Sequence, residues 1–247
     1  MGVILRAAMV TDLGLVRTNN EDSAHVGSRL IAVADGMGGL PAGELASDLV
    51  IKALAPLDGA PADADPLKLL TAAVEEGNNR VADTVDEDPV REGMGTTVTA
   101  LLLSAGKLGL VHVGDSRCYL LRDNALEQVT RDDTLVQSLV DRGALTPAQA
   151  RSHPQRSLVT QAVQGRPMTI SGGTLEPQLG DRFMLCSDGL SDVVTDEAIG
   201  LALTSYPEPQ ECAEQLVKLA VQAGGPDNIT VIVADVTSGP RDRPPGR

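Results

Sequence analysis

The sequence predicts an α+β fold of mostly antiparallel sheets sandwiched by helices, and three observations carry that prediction. Seven short aliphatic or β-branched runs are bounded by Gly, Asp or Asn. Two of the gaps between runs are short and turn-rich, as hairpins require. Helical periodicity gathers in an early and a late block instead of alternating with each strand, so paired sheets flanked by helices fit better than a βαβ ladder.

In chain order, residues 4–10 make the first strand and 30–34 the second, with the polar segment TDLGLVRTNNEDS between them. Leu45, Leu49 and Ala53, with Ala46, Val50 and Leu54, form an i, i+4, i+8 stripe, which predicts an amphipathic helix. After an acidic Ala/Pro connector, Leu67, Leu70, Val74 and Val81 predict another. Strands follow at 98–103, 108–113 and 118–121, with turns at Ser104-Ala105-Gly106-Lys107 and Arg122-Asp123-Asn124. Leu135, Val136, Leu139 and Val140, closed by Gly143, predict a helix. Thr146 before Pro147, and Thr195 before Asp196 and Glu197, are N-caps that start two more. Strand 183–186, a helix around 212–220 and strand 229–233 complete the expected domain, 1–236. Residues 237–247, TSGPRDRPPGR, are polar and proline-rich and are expected to be a disordered tail.

Composition narrows the function. The chain carries 34 acidic against 20 basic residues and a formal charge of −14, so it lacks the electrostatic footprint of a nucleic-acid or anionic-membrane binder. Cys118, Cys186 and Cys212 are odd in number and widely spaced, which reads as reduced, structural thiols. No run approaches the roughly 18 apolar residues of a membrane helix, and the start MGVILRAAMV lacks a signal peptide's long apolar region. A cytoplasmic location is expected.

The chemistry concentrates at strand ends. Asp35 in IAVADGMGG, Asp115 in LVHVGDSR, Asp188 in FMLCSDGLSD and Asp227 in GGPDNITVIVADV each close or open an apolar run. One such Asp is an ordinary turn residue; four gathered by folding would be a cluster of hard oxygen ligands. Without His or Cys at zinc spacing, such a cluster selects Mg²⁺ or Mn²⁺. Two ions about 3.5–4 Å apart can share a carboxylate and activate a water for phosphate ester hydrolysis. Asp35 is the chosen bridge, because the adjacent glycines let the Gly36 carbonyl approach an ion. Arg17 supplies a planar guanidinium suited to phosphate, although an ion pair with Glu21 would be the plainer role. A dinucleotide loop is disfavoured by Pro41 where a third glycine belongs, no Walker-type Gly-Lys-Ser/Thr occurs, and the run CSDGLSD has no arginine for a cysteine-dependent phosphatase loop. Thr96 and Thr97 read as strand formers, Asn228 as an Asx turn or a residue orienting Asp227, and His25 and His112 as structural.

TDLGLVRTNNEDS, ADGMGG, GMGTTVTALLL, LVHVGDSRCYLLRD, LCSDGLSD and GGPDNITVIVADV, in that order, resemble the metal-dependent serine/threonine protein phosphatases of the protein phosphatase 2C (PPM) family. The resemblance runs from about residue 6 to 236 and is nearest to actinobacterial members that partner transmembrane Ser/Thr kinases. It implies a four-layer α-β-β-α sandwich with the metals in a cleft at one end. It further implies that Asp35 bridges two ions, that the Gly36 carbonyl, Asp188 and Asp227 complete the first, and that Glu21 and Asp22 hold the water shell of the second. Asp115 would support a labile third ion with Ser157 of a flap nearby, and Arg17 would bind the substrate phosphate. Phosphorylated proteins would be the partners of a monomeric enzyme. Many eukaryotic relatives have a histidine where this chain has Met37, so the leaving-group proton would come from water on the ion or from His153. A phosphatase-like binding module without activity, or a relative acting on anti-sigma antagonist phosphoproteins, would be the other outcomes.

Overall fold

The structure, a computed structural model, describes residues 3–38 and 42–239. Its strands are β1 (Val3–Asp12), β2 (Asp22–Val26), β3 (Leu30–Met37), β4 (Gly95–Thr96), β5 (Val98–Ser104), β6 (Lys107–Val113), β7 (Arg117–Arg122), β8 (Ala125–Gln128), β9 (Ser171–Leu175), β10 (Arg182–Cys186) and β11 (Ile229–Ser238). Its helices are α1 (Ala42–Leu54), α2 (Pro66–Glu87), α3 (Leu135–Asp141), α4 (Pro147–Arg151), α5 (Asp188–Ser191), α6 (Asp196–Ser205) and α7 (Pro209–Gln222).

The strands form two antiparallel sheets, ordered β1-β11-β10-β7-β8 and β2-β3-β5-β6-β9, with β4 attached to β3. Alternation decides what each face does. Ile31, Val33, Leu101, Leu110, Leu120, Phe183, Leu185 and Ile232 point between the sheets and make the central core. The opposite face of the first sheet packs Tyr119, Met184 and Val233 under Leu203, Leu216 and Ala220 of α6 and α7. The opposite face of the second packs Ala32, Ala100 and Val111 under Val50, Leu54, Leu70 and Val74 of α1 and α2. This is the four-layer sandwich the sequence implied.

Local chemistry sets the boundaries. α2 starts at Pro66 because Asp65 accepts from the amides of Leu67 and Lys68 at 3.0 and 3.3 Å. The β5–β6 hairpin turns through Ala105 and Gly106, and β7–β8 through Asp123 and Asn124, all at positive φ, as two-residue hairpins demand. β11 runs two residues into the segment expected to be a tail, because Thr237 and Ser238 pair with Ile4 and Val3 of β1. Residues 240–247 of that expected tail lie outside the described residues.

The topology places the carboxylates. β3 and β6 run parallel through their shared neighbour β5, so Asp35 and the turn at Asp115 emerge at one end of their sheet. Cys186 at the end of β10 pairs with Val231 near the start of β11, so Asp188 and Asp227 flank the same edge of the other sheet.

Candidate metal and phosphate cleft

Arg17 sits on a loop pinned from below. Asn228 donates from Nδ2 to the carbonyls of Leu13 and Asn19 at 3.1 and 2.9 Å, and its Oδ1 accepts from the Glu21 amide at 2.9 Å. Asn228 is therefore neither a simple turn residue nor only an orienter of Asp227; it braces the loop that carries Arg17. Leu15 donates its amide to the Gly225 carbonyl at 2.7 Å. Gly14, at φ +75°, lies so close to the chain after Gly225 that a Cβ there would meet the Asp227 carbonyl at 2.2 Å. So held, Arg17 donates from Nη2 to Asp227 Oδ2 at 2.7 Å, and its other donors stay half exposed. Its ion-pair partner is Asp227 instead of Glu21.

Asp35 is fixed through its backbone. Its amide donates to Thr97 Oγ1 at 3.1 Å, and its carbonyl accepts from the Thr97 amide and Thr96 Oγ1, both at 2.9 Å. The two threonines, expected only to favour strand, thus clamp Asp35 in place. Gly36 has no room for a side chain: a Cβ would stand 2.3 Å from the Gly43 carbonyl and 2.5 Å from that of Glu21.

Around these lies a cleft of about 550 Å³ lined by Arg17, Glu21, Asp35, Gly36, Asp115, Ser157, Asp188 and Asp227, among others. Asp22, the cross-strand partner of Asp35, does not line it; Asp22 Oδ2 accepts from Ser187 Oγ at 2.8 Å, and Oδ1 is buried without a partner. Gathering these acids in a buried cleft raises their pKa values. Burial, then the charges of Asp22, Asp188, Asp115 and Asp227, holds Asp35 well above the usual carboxylate range. Burial, then Asp115, Asp192 and Asp227, does the same to Asp188. Burial pushes Asp22 up to about 6 against the pull of Thr230 and Ser187, and burial with the charges of Asp132 and Asp192 pushes Asp115 up to about 7.

Ser157 is brought to the cleft, and its hydroxyl donates to Asp192 Oδ2 at 3.2 Å. Asp192 was not singled out in the sequence, yet it sits one helical turn after Asp188, whose carbonyl accepts the Asp192 amide at 2.8 Å. The second Asp of SDGLSD, at i+4, was the available signal. None of the three histidines lines the cleft. His112 is buried with Nδ1 2.9 Å from Thr99 Oγ1, His25 lies in β2, and His153 Nδ1 accepts from the Gln155 amide.

The donor set fits hard divalent cations. Every acidic group lining the cleft is a carboxylate, the hard oxygen donor that Mg²⁺ and Mn²⁺ prefer. Among the described residues no three His, Cys, Asp or Glu side chains are drawn together closely enough to hold an ion as they stand. Asp227 is turned toward Arg17 and the Asn228 amide, and water would complete the shell of any ion held here. A stability signature follows. A carboxyl titrating near 3.9 unfolded and near 6 to 7 folded favours the fold below about pH 4, and that contribution is lost as pH rises through the folded value. In EDTA the melting temperature should therefore be higher at pH 5 than at pH 8, by about 5 °C, and Mn²⁺ at pH 8 should restore it. A metal-free melting temperature that climbs from pH 5 to pH 8 would contradict this electrostatic picture.

Comparisons with known proteins agree with the geometry. A family model for protein phosphatase 2C matches residues 17–220. Serine/threonine protein phosphatase PstP of Mycobacterium tuberculosis is 56% identical over 234 residues, covering 95% of this chain and 45% of that protein, so this chain spans less than half of that relative's length. Protein phosphatase PhpP of Streptococcus pneumoniae is 34% identical over 240 residues, covering 94% of this chain and 98% of that protein. A solved structure of the catalytic domain of PstP in complex with two manganese ions matches with a TM-score of 0.91 at 52% identity, covering 96% of this chain and 100% of that one. The chain belongs to the protein phosphatase 2C family.

Proposed function

We propose that this domain hydrolyses phosphoserine and phosphothreonine in proteins by direct attack of water, with Mn²⁺ or Mg²⁺ in two core sites and a weaker third beside Asp115. The observation that carries the reading is the meeting of Asp35, Asp188, Asp227 and Arg17, from four separate segments, on one cleft. The two manganese ions of the PstP catalytic domain support it. When bound, such ions polarise phosphate oxygens and lower the pKa of water into the neutral range. The chain's own residues do the rest. Asp35, clamped by Thr96 and Thr97, would be the central ligand, with the Gly36 carbonyl, Asp188 and Asp227 also available to the ions, and Glu21 and Asp22 would hold their water. Arg17 swings from Asp227 to the incoming phosphate and orients it. No histidine lines the cleft, so the leaving oxygen takes its proton from solvent held there.

The physiological role in keeping with this chemistry is reversal of Ser/Thr protein kinases, by a monomer acting on phosphorylated kinases and their substrates. No helix among the described residues is long and apolar enough to cross a membrane. Three free, buried cysteines suit a reducing compartment such as the cytoplasm. An inactive binding module is disfavoured by the full acid set and the exposed guanidinium. The deciding experiment is phosphate release from a phosphothreonine peptide with Mn²⁺ and with EDTA. Release should depend on the metal; equal turnover in EDTA would overturn the proposal.

A further inference from the structure

Nine large apolar side chains among the described residues are well exposed: Met9, Leu13, Leu15, Val16, Val90, Leu158, Leu179, Leu201 and Leu219. Four of them sit on the two loops that border the cleft. Leu13, Leu15 and Val16 precede Arg17, and Leu158 follows Ser157. Val16 and Leu158 line the cleft itself, although 67% and 48% exposed. Neither loop is slack. The first is held by Asn228 and the Gly225 carbonyl as described. In the second, Leu158 donates its amide to the Gln155 carbonyl at 3.2 Å and accepts the Leu135 amide at 3.0 Å, and Val159 bridges Thr134. Apolar side chains kept in water by a braced backbone, at the lining of a reactive cleft, mark a contact surface.

Resting on the phosphatase reading above, we infer that Val16 and Leu158 form a divided apolar rim that selects phosphoprotein segments with an aliphatic side chain next to the phosphorylated residue. Charge points the same way. The cleft offers five carboxylates to one arginine, a balance that two divalent ions bring to neutrality, so it gives flanking basic residues no attraction. The chain as a whole, at −14, disfavours acidic flanking residues. Beside the phosphate, the exposed Val16 and Leu158 offer apolar contact. Both line the same cleft as Arg17, within reach of the residues that flank a phosphate held there.

The test is a set of phosphothreonine peptides identical except for Leu, Gly or Asp on both sides of the phosphoresidue, assayed with Mn²⁺. The Leu peptide should exceed the Gly peptide in kcat/KM by about tenfold or more, mainly through a lower KM, with the Asp peptide reporting the separate effect of charge. Val16→Ser and Leu158→Ser, both at exposed positions that leave the core untouched, should each raise KM for the Leu peptide alone and shrink the preference by about threefold or more. Equal rates across the peptides, or a preference that survives both substitutions, would overturn the rim while leaving the phosphatase reading intact. Absence of metal-dependent hydrolysis of every peptide would overturn both.

Discussion

Asp35→Asn should lower kcat by about a thousandfold or more while raising the thermal stability of the metal-free chain. The two effects share one cause. Asp35 lies among Asp22, Asp188, Asp115 and Asp227, and its charge is held only at the cost of burial and repulsion. A neutral amide of the same shape relieves that cost, and the backbone clamp from Thr96 and Thr97 uses no side-chain atom of residue 35. The same amide is a poor bridge between two cations. Steady-state rates at saturating Mn²⁺, beside melting curves in EDTA, check both halves. An active variant would show that Asp35 is not the central ligand, and an inactive one whose metal-free form is less stable than the native chain would contradict the cost placed on its charge.

Arg17→Ala should lower kcat/KM for a phosphopeptide by roughly 10- to 100-fold, the range expected for loss of one or two charge-assisted hydrogen bonds. Arg17→Lys should recover only part of it, because a point charge cannot reproduce a planar fork. Arg17 also pairs with Asp227 at 2.7 Å, so a role through that ligand has to be separated from a role on phosphate. Mn²⁺ affinity separates them. If Arg17 serves phosphate, its removal frees Asp227 and Mn²⁺ binds as tightly as before or tighter. Weaker Mn²⁺ binding with unchanged KM would place Arg17 in the ion site instead.

Much of this site was legible in the chain because its carboxylates stand where apolar runs stop. Asp35, Asp115, Asp188 and Asp227 could be picked out by that pattern, and the adjoining Asp-Gly and Asp-Ser pairs marked turns. Their bracing could not. Thr96 and Thr97 reach Asp35 only because Gly36 pairs with Thr96 across some sixty intervening residues, a register that no local period encodes. Asn228 bonds Leu13, Asn19 and Glu21 from more than 200 residues away for the same reason. The strand that escaped detection, β9, is short and reads SGGTL, with a single β-branched residue to announce it. It exists because β6 offers it a ladder. Asp192 was overlooked because a four-residue helix is too brief to display a period, although its spacing from Asp188 is helical.

Whether these carboxylates hold two divalent cations is read by anomalous diffraction at the manganese edge, from crystals of this chain grown with Mn²⁺. Two strong peaks should lie in the cleft, both in contact with Asp35, with Asp188 and Asp227 on one of them, and Asp35→Asn crystals should lose at least one. Peaks elsewhere on the molecule with the cleft empty, or an unaltered pair in Asp35→Asn, would contradict the account.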